Sequence, residues 1–331
     1  MLKKLKSIAV IGLAGALLLS GCGSSEKTNK EDSGGEKEKT YEIGITQIVD
    51  HPSLNAATKG FKKAIEESGL KVKYTEQNAQ GEKTNAATIA NNFVGDNVDL
   101  IFANSTDSAQ SALNATKDIP IVFTSVTDPV GAQLVASMEK PGGNVTGTSD
   151  FYEDSIPNTI EFISKYMDAK TIGTVYNTGE QNSVAQIEEM KKAIEGTGLK
   201  LVESAAATSA EVKTATEALV GKADVIFIIT DNTVVSALES VIQVANDNDI
   251  PLFVGEEQSV EKGGFAAFAI SYEDIGYQAG KMAVQILKGE KTPAEIPALA
   301  PEGADLVINK KAAKEMNIEI KDEWKDARFI E

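Results

Sequence analysis

The sequence predicts an α/β protein of two Rossmann-like lobes, each a parallel sheet covered by helices, joined by a hinge of three chain crossings. Short apolar runs alternate with helical patterns, which is the signature of strands bridged by crossover helices. The pattern occurs twice: Lys62-Lys63-Ala64-Ile65-Glu66 matches Lys191-Lys192-Ala193-Ile194-Glu195 at a spacing of 129 residues, and Asp118-Ile119-Pro120 matches Asp249-Ile250-Pro251. After the second copy come a helix and a strand with no counterpart in the repeat.

In the first copy, strands are expected at Glu42–Gln47, Val72–Glu76, Leu100–Ala103 and Ile121–Thr124, and helices near Leu54–Glu67, Glu82–Val94 and Ser108–Thr116. Leu54, Phe61 and Ile65 recur at helical spacing with lysines and glutamates elsewhere, so the first helix has one inward stripe. In the second copy, strands are expected at Thr171–Tyr176, Leu201–Ser204, Val225–Ile229 and Leu252–Val254, and helices near Val184–Glu195, Ala210–Val220 and Val234–Asn246. The stretches Asn144–Asp150 and Phe265–Ser271 stand where one copy hands over to the next and read as crossings. Helix Asp274–Lys288 and strand Asp305–Ile308 are expected to return to the first lobe and the hinge. The resulting division is lobe 1 over 41–146 with 272–308, lobe 2 over 147–271, and a C-terminal helix and tail over 309–331, with Trp324 as a surface plug.

Residues 1–21 read as a lipoprotein leader: Lys3, Lys4 and Lys6, an apolar run from Ile8 to Leu19, then Gly21-Cys22. Cys22, the only cysteine, is the expected lipidation site, and residues 22–40 are a polar tether without core-forming residues. The mature chain is therefore expected outside the cytoplasmic membrane, held to it by acyl chains. The full chain carries a net charge of −17, and the leader removes three lysines, leaving −20. That charge disfavours nucleic acid as a partner. The single arginine, Arg328, stands near the C-terminus, so a strongly anionic ligand lacks its usual guanidinium partners.

A bilobed extracytoplasmic α/β chain is the physical description of a protein that closes around a small solute. In parallel α/β sheets the ligand lies beyond the carboxyl ends of the strands. Those loops are rich in hydroxyls, amides and carboxylates: Thr46, Gln47 and His51; Ser105, Thr106 and Ser108; Ser125, Thr127 and Asp128; Asn177, Glu180 and Asn182; Asp231 and Asn232; and Glu256. Leu54, Phe151, Tyr152 and Tyr272 are candidate apolar walls.

Four stretches carry a resemblance. Gln47-Ile48-Val49-Asp50-His51-Pro52-Ser53-Leu54, Phe123-Thr124-Ser125-Val126-Thr127-Asp128-Pro129-Val130-Gly131, Pro141-Gly142-Gly143-Asn144-Val145-Thr146-Gly147 and Tyr272-Glu273-Asp274-Ile275-Gly276 resemble the tryptophan/tyrosine family of ABC-transporter substrate-binding lipoproteins. The resemblance implies a type I periplasmic-binding-protein fold, an aromatic or other apolar amino acid as ligand, and a permease with a cytoplasmic ATPase as partners. A monomer is expected, with neither cofactor nor metal.

The residues themselves are compatible with a zwitterion. Ser105, Thr106 and Ser108 open a helix, whose free N–H groups and dipole favour a carboxylate. The ammonium then needs an acceptor, for which Asp231 is favoured and Asp128 second. Each has a duller reading: Ser105 and Asp231 as helix caps, Asp128 as a turn former before Pro129. No Gly-x-Ser-x-Gly elbow is present, and one histidine cannot build a metal cluster. A receptor serving a sensor, and branched-chain amino acids, peptides or sugars as ligands, remain alternatives, with a glycoside hydrolase using Asp128 and Glu256 the remote one.

Overall fold

The computed structural model describes residues 39–331. The leader, Cys22 and all of the tether before residue 39 lie outside the described residues. Among the described residues no helix is long and apolar enough to cross a membrane.

The first lobe is built from β1 (Thr40–Gln47), α1 (Pro52–Glu67), β2 (Lys71–Asn78), α2 (Lys83–Gly95), β3 (Leu100–Asn104), α3 (Thr106–Ala115), β4 (Ile121–Val126) and β5 (Val145–Ser149). The second contains α4 (Ser155–Tyr166), β6 (Thr171–Tyr176), α5 (Gln181–Ile194), β7 (Lys200–Ala205), α6 (Val212–Glu217), β8 (Val225–Ile228), α7 (Asn232–Ser236), α8 (Leu238–Asp247), β9 (Leu252–Val254), α9 (Glu257–Lys262) and β10 (Ala266–Ala269). The chain then runs through α10 (Tyr272–Leu287), β11 (Asp305–Asn309), α11 (Lys310–Glu315) and β12 (Arg328–Ile330). The first sheet has the order β2-β1-β3-β4-β5 with every pairing parallel. The second has the order β12-β11-β10-β9-β8-β6-β7, parallel except for the antiparallel β10–β11 pair.

Strands β3 and β4 are buried along their whole length, as strands covered by helices on both faces must be. Helix α10 packs on α1, and small residues allow it. A Cβ on Gly276 would collide with the Ala57 carbonyl, and one on Gly60 with the Glu273 carbonyl, so the two backbones nearly touch. Pro52 sits in the first turn of α1, where its missing N–H is harmless, and His51 caps the helix, its Nδ1 accepting from Ser53 N at 3.2 Å.

Three crossings join the lobes: β5 to α4, β10 to α10, and the segment from Leu299, which bridges Thr148 of the first lobe, to β11 of the second. Three expected boundaries move. Residues 147–149 belong to β5 in the first sheet, not to the second lobe. β11 pairs with β10 in the second sheet instead of returning to the first, and the C-terminal segment extends that sheet through β12. Thr40, placed in the tether, begins β1. Trp324 is no surface plug: it is 3% exposed and packs against Phe162, Tyr166 and Phe265.

Candidate functional site

The cleft between the lobes is lined by the loops that follow the carboxyl ends of the strands. In the first lobe, Ser105 caps α3 with its Oγ, which accepts from Ser108 N at 3.3 Å, and its own φ of 113° lies in a region that L-residues rarely adopt. Ser125, at the end of β4, also has a positive φ, 55°. Such backbone costs about 1–3 kcal/mol per residue and persists where the surroundings over-determine it. The hydroxyls of Thr106, Ser108 and Ser125 are buried without a hydrogen-bond partner among the described residues. Thr46 is likewise buried and unpartnered.

Gln47 is tied into the scaffold, its Oε1 accepting from Thr58 Oγ1 and Asn104 Nδ2 and its Nε2 donating to Val49 O and Asn55 Oδ1. Asp128 is a turn former: Oδ1 accepts from Gly131 N at 2.8 Å, and the residue does not line the cleft chambers.

In the second lobe, Asp231 is fully buried, lines neither chamber of the cleft and is held by three donors of its own lobe. Oδ2 accepts from Asn177 N (2.6 Å) and Ser183 Oγ (2.7 Å), and Oδ1 from Val234 N (2.8 Å) at the start of α7. Glu180 accepts from the backbone and side chains of both Asn232 and Thr233, and from Asn182 Nδ2. These two carboxylates stitch the Asn177–Ser183 loop to the start of α7. Asn177 belongs to the same knot, donating from Nδ2 to Thr233 Oγ1. Burial first, and then the neighbouring Glu180 charge, push the Asp231 carboxyl up to about 7. The favoured ammonium acceptor is therefore a scaffold residue without a free oxygen facing a ligand.

What the cleft does hold is a pair of adjoining chambers. The polar one is lined by His51, Leu54, Ser125, Thr127, Asp150, Asn182, Thr230, Asn232, Glu256 and Tyr272. The other is largely apolar, with Phe151, Tyr152, Ile156, Phe227, Val254, Phe268 and Ile270 among its walls. Thr127, Asp150 and Thr230 line both. Of the expected apolar walls, Phe151 and Tyr152 line the apolar chamber, and Leu54 and Tyr272 the polar one.

Among the described residues, no Lys or Arg lines either chamber. Glu256, 2% exposed, accepts from Ser259 Oγ at 2.7 Å, and its Oε1 lies 4.0 Å from His51 Nδ1 across the cleft. Burial lowers the His51 pKa more than Glu256 raises it, and because Nδ1 already accepts from Ser53 N, the neutral ring carries its proton on Nε2. Asp150 opens the first crossing, directly after β5: Oδ1 accepts from Thr127 Oγ1 at 3.1 Å and Oδ2 from Tyr272 OH at 2.8 Å. Burial pushes its carboxyl up to about 6, and burial with the Asp150 charge pushes the Tyr272 phenol well above 10.

Asp150 is the residue that sequence reasoning missed. It closes the Asn144–Asp150 crossing, and its position after a strand end was the available signal. Thr230 stands in the strand-end loop with Asp231 and Asn232, which the sequence does place at the cleft.

The lobes touch beyond the chambers. Ser53 Oγ donates to Gln258 Oε1 at 2.8 Å, and Lys83 Nζ, paired with Asp107 at 2.8 Å, donates to Gly179 O at 2.9 Å.

Residues 42–327 match the family described as ABC transporter substrate binding protein. A Clostridioides difficile (strain R20291) protein named tyrosine-binding protein is 43% identical over 324 residues, which span 96% of this chain and 93% of that one. The structure superposes on the ABC domain in complex with L-Trp from Streptococcus pneumonia with a TM-score of 0.84, at 36% identity, covering 88% of this chain and all of that one. It superposes on the ligand-free, open structure of a Clostridium difficile substrate binding protein with adhesive properties with a TM-score of only 0.66, at the higher identity of 42%, covering 88% and 99%. The better fit goes with the ligand-bound neighbour despite its lower identity. Together with the contacts of Ser53 and Lys83 across the cleft, this places the present chain in a closed conformation.

Proposed function

Because the chain belongs to the ABC transporter substrate binding protein family, we propose that it captures an amino acid with an apolar, aromatic side chain between its lobes and delivers it to a membrane permease driven by a cytoplasmic ATPase. The observation that carries this reading is the joining of a polar chamber to an apolar one across the cleft, with Thr127, Asp150 and Thr230 at the junction. An amino acid has that same division: two charged groups and a side chain on one carbon. The names of the relatives, which refer to tyrosine and to L-Trp, point to the same ligand class.

In this reading the carboxylate lies near Ser125, toward the start of α3, where the helix N–H groups and the unpartnered hydroxyls of Thr106 and Ser108 favour an anion. The side chain enters the apolar chamber. The ligand enters while the lobes stand apart, and closure buries it. Closure follows only if the ligand binds the closed form more tightly than the open one. Members of the family work outside the cytoplasmic membrane, and Cys22 is the proposed anchor. The chain acts as a receptor without chemistry of its own.

The test is a thermal-shift panel of amino acids, sugars and nucleosides on the protein lacking its leader, followed by calorimetry. A ligand at a hundred times its Kd raises stability by about 2.7 kcal/mol. Stabilisation by L-tyrosine or L-tryptophan is the expected result, and stabilisation by a sugar or nucleoside alone would refute the ligand assignment.

A further inference from the structure

Resting on the amino acid reading above, we infer that Asp150 accepts the ligand's ammonium group and is the residue that makes the site select amino acids over the same acids without the amine. The ammonium and the side chain leave the same α-carbon, so the ammonium acceptor must stand where the two chambers meet. Three residues stand there, Thr127, Asp150 and Thr230, and only Asp150 carries a charge.

Its oxygens are also available. Each takes one hydrogen bond, from Thr127 Oγ1 or from Tyr272 OH, and each carboxylate oxygen has two lone pairs. The other acids of the cleft do not compete on equal terms. Asp231 lines neither chamber and is held by three donors of its own lobe, Glu180 is saturated by five, and Glu256 lines only the polar chamber, bound to Ser259.

Asp150 also reports to the hinge. It opens the first crossing, and its Tyr272 partner begins α10 directly after the second. A cation on this carboxylate is therefore held by residues at two of the three crossings, which ties capture of the amine to the closed arrangement.

The groups facing Asp150 are the Tyr272 phenol, the Thr127 hydroxyl and, at longer range, the Glu256 carboxylate, with no cation among the described residues that line the chambers. Burial and Glu256 raise the carboxyl to about 6, while the two hydrogen bonds pull it down. An ammonium binds the ionised form. Affinity should therefore be constant above pH 7 and weaken about tenfold by pH 5 as the folded-state carboxyl takes up its proton.

The experiment compares L-tryptophan with indole-3-propionate, and L-tyrosine with 3-(4-hydroxyphenyl)propionate, by calorimetry on the purified protein and on Asp150→Asn and Glu256→Gln. Wild type should prefer each amino acid by about a hundredfold, the value of a charge-assisted buried hydrogen bond, and Asp150→Asn should bring the ratio to within a few-fold of one. At pH 6 the wild-type protein should release about half a proton on binding L-tryptophan, read from buffers of different ionisation enthalpy, and this measurement needs no variant. An Asp150→Asn protein that keeps the wild-type ratio, a Glu256→Gln protein that alone loses it, or wild-type binding without proton release would overturn the assignment while leaving the ligand class standing. Failure of the wild-type protein to bind any aromatic amino acid would remove both.

Discussion

Replacing Asp231 with alanine separates a scaffold role from a ligand contact. The substitution leaves the Val234 N–H and the Ser183 hydroxyl unpaired in the interior, and the Asn177 N–H unpaired at its half-buried edge. At about 1–3 kcal/mol for each buried donor, the loss should be at least about 3 kcal/mol at pH 5. The pH dependence has a definite sign. The folded-state carboxyl is raised to about 7, so its contribution is fully present below about pH 4 and disappears as pH rises through 7. Linkage makes the difference between wild type and variant smaller at pH 8 than at pH 5, by about 2–3 kcal/mol. Urea denaturation at both pH values measures it, and taking the difference between the two proteins cancels the similar contribution of Asp150. A variant as stable as wild type at pH 5 that nevertheless loses amino acid binding would refute the scaffold reading, as would a difference that grows with pH.

Two further outcomes follow from the packing and from the closed cleft. Gly276→Ala puts a methyl group against the Ala57 carbonyl and forces α10 off α1, so thermal or urea denaturation should show a loss of about 1–3 kcal/mol. Lys83→Ala removes the contact with Gly179 O across the cleft. Because that lysine is half exposed, stopped-flow release of L-tryptophan should quicken by only about two- to fivefold, and an unchanged rate would remove Lys83 from the closing contacts.

The fold was largely legible because its signals are local and repeated. Apolar runs of four to six residues between helical stripes marked most of the strands that make the two sheets, and the 129-residue repeat marked two lobes. What was lost depends on distant partners. β5 and β10 read as crossings because each leads directly out of its lobe, and α4 was passed over with Pro157 in its first turn. β11 looks like any strand, and only its antiparallel pairing with β10 assigns it to the second lobe. Trp324 stands in a charged tail, yet Phe162 and Phe265 bury it from elsewhere in the chain.

The site divides in the same way. Sequence placed His51, Ser125, Thr127, Asn182, Asn232, Glu256 and Tyr272 at the cleft, since strand-end loops can be counted off. It could not tell which strand-end carboxylate is free. Asp231 and Asp150 each follow a strand, but three donors of its own lobe hold the first away from both chambers, while the second lines them. That difference is set by the Asn177 loop and by Tyr272, residues more than 50 positions away.

The central claim is that an aromatic amino acid is buried between two lobes that close on it. Small-angle X-ray scattering of the purified protein, titrated with L-tyrosine and L-tryptophan, tests it most directly. The account predicts a saturable decrease in radius of gyration, ending on the profile calculated from the closed structure described above. A profile unchanged by either amino acid at saturating concentration, or a compaction produced by a sugar and not by them, would contradict it.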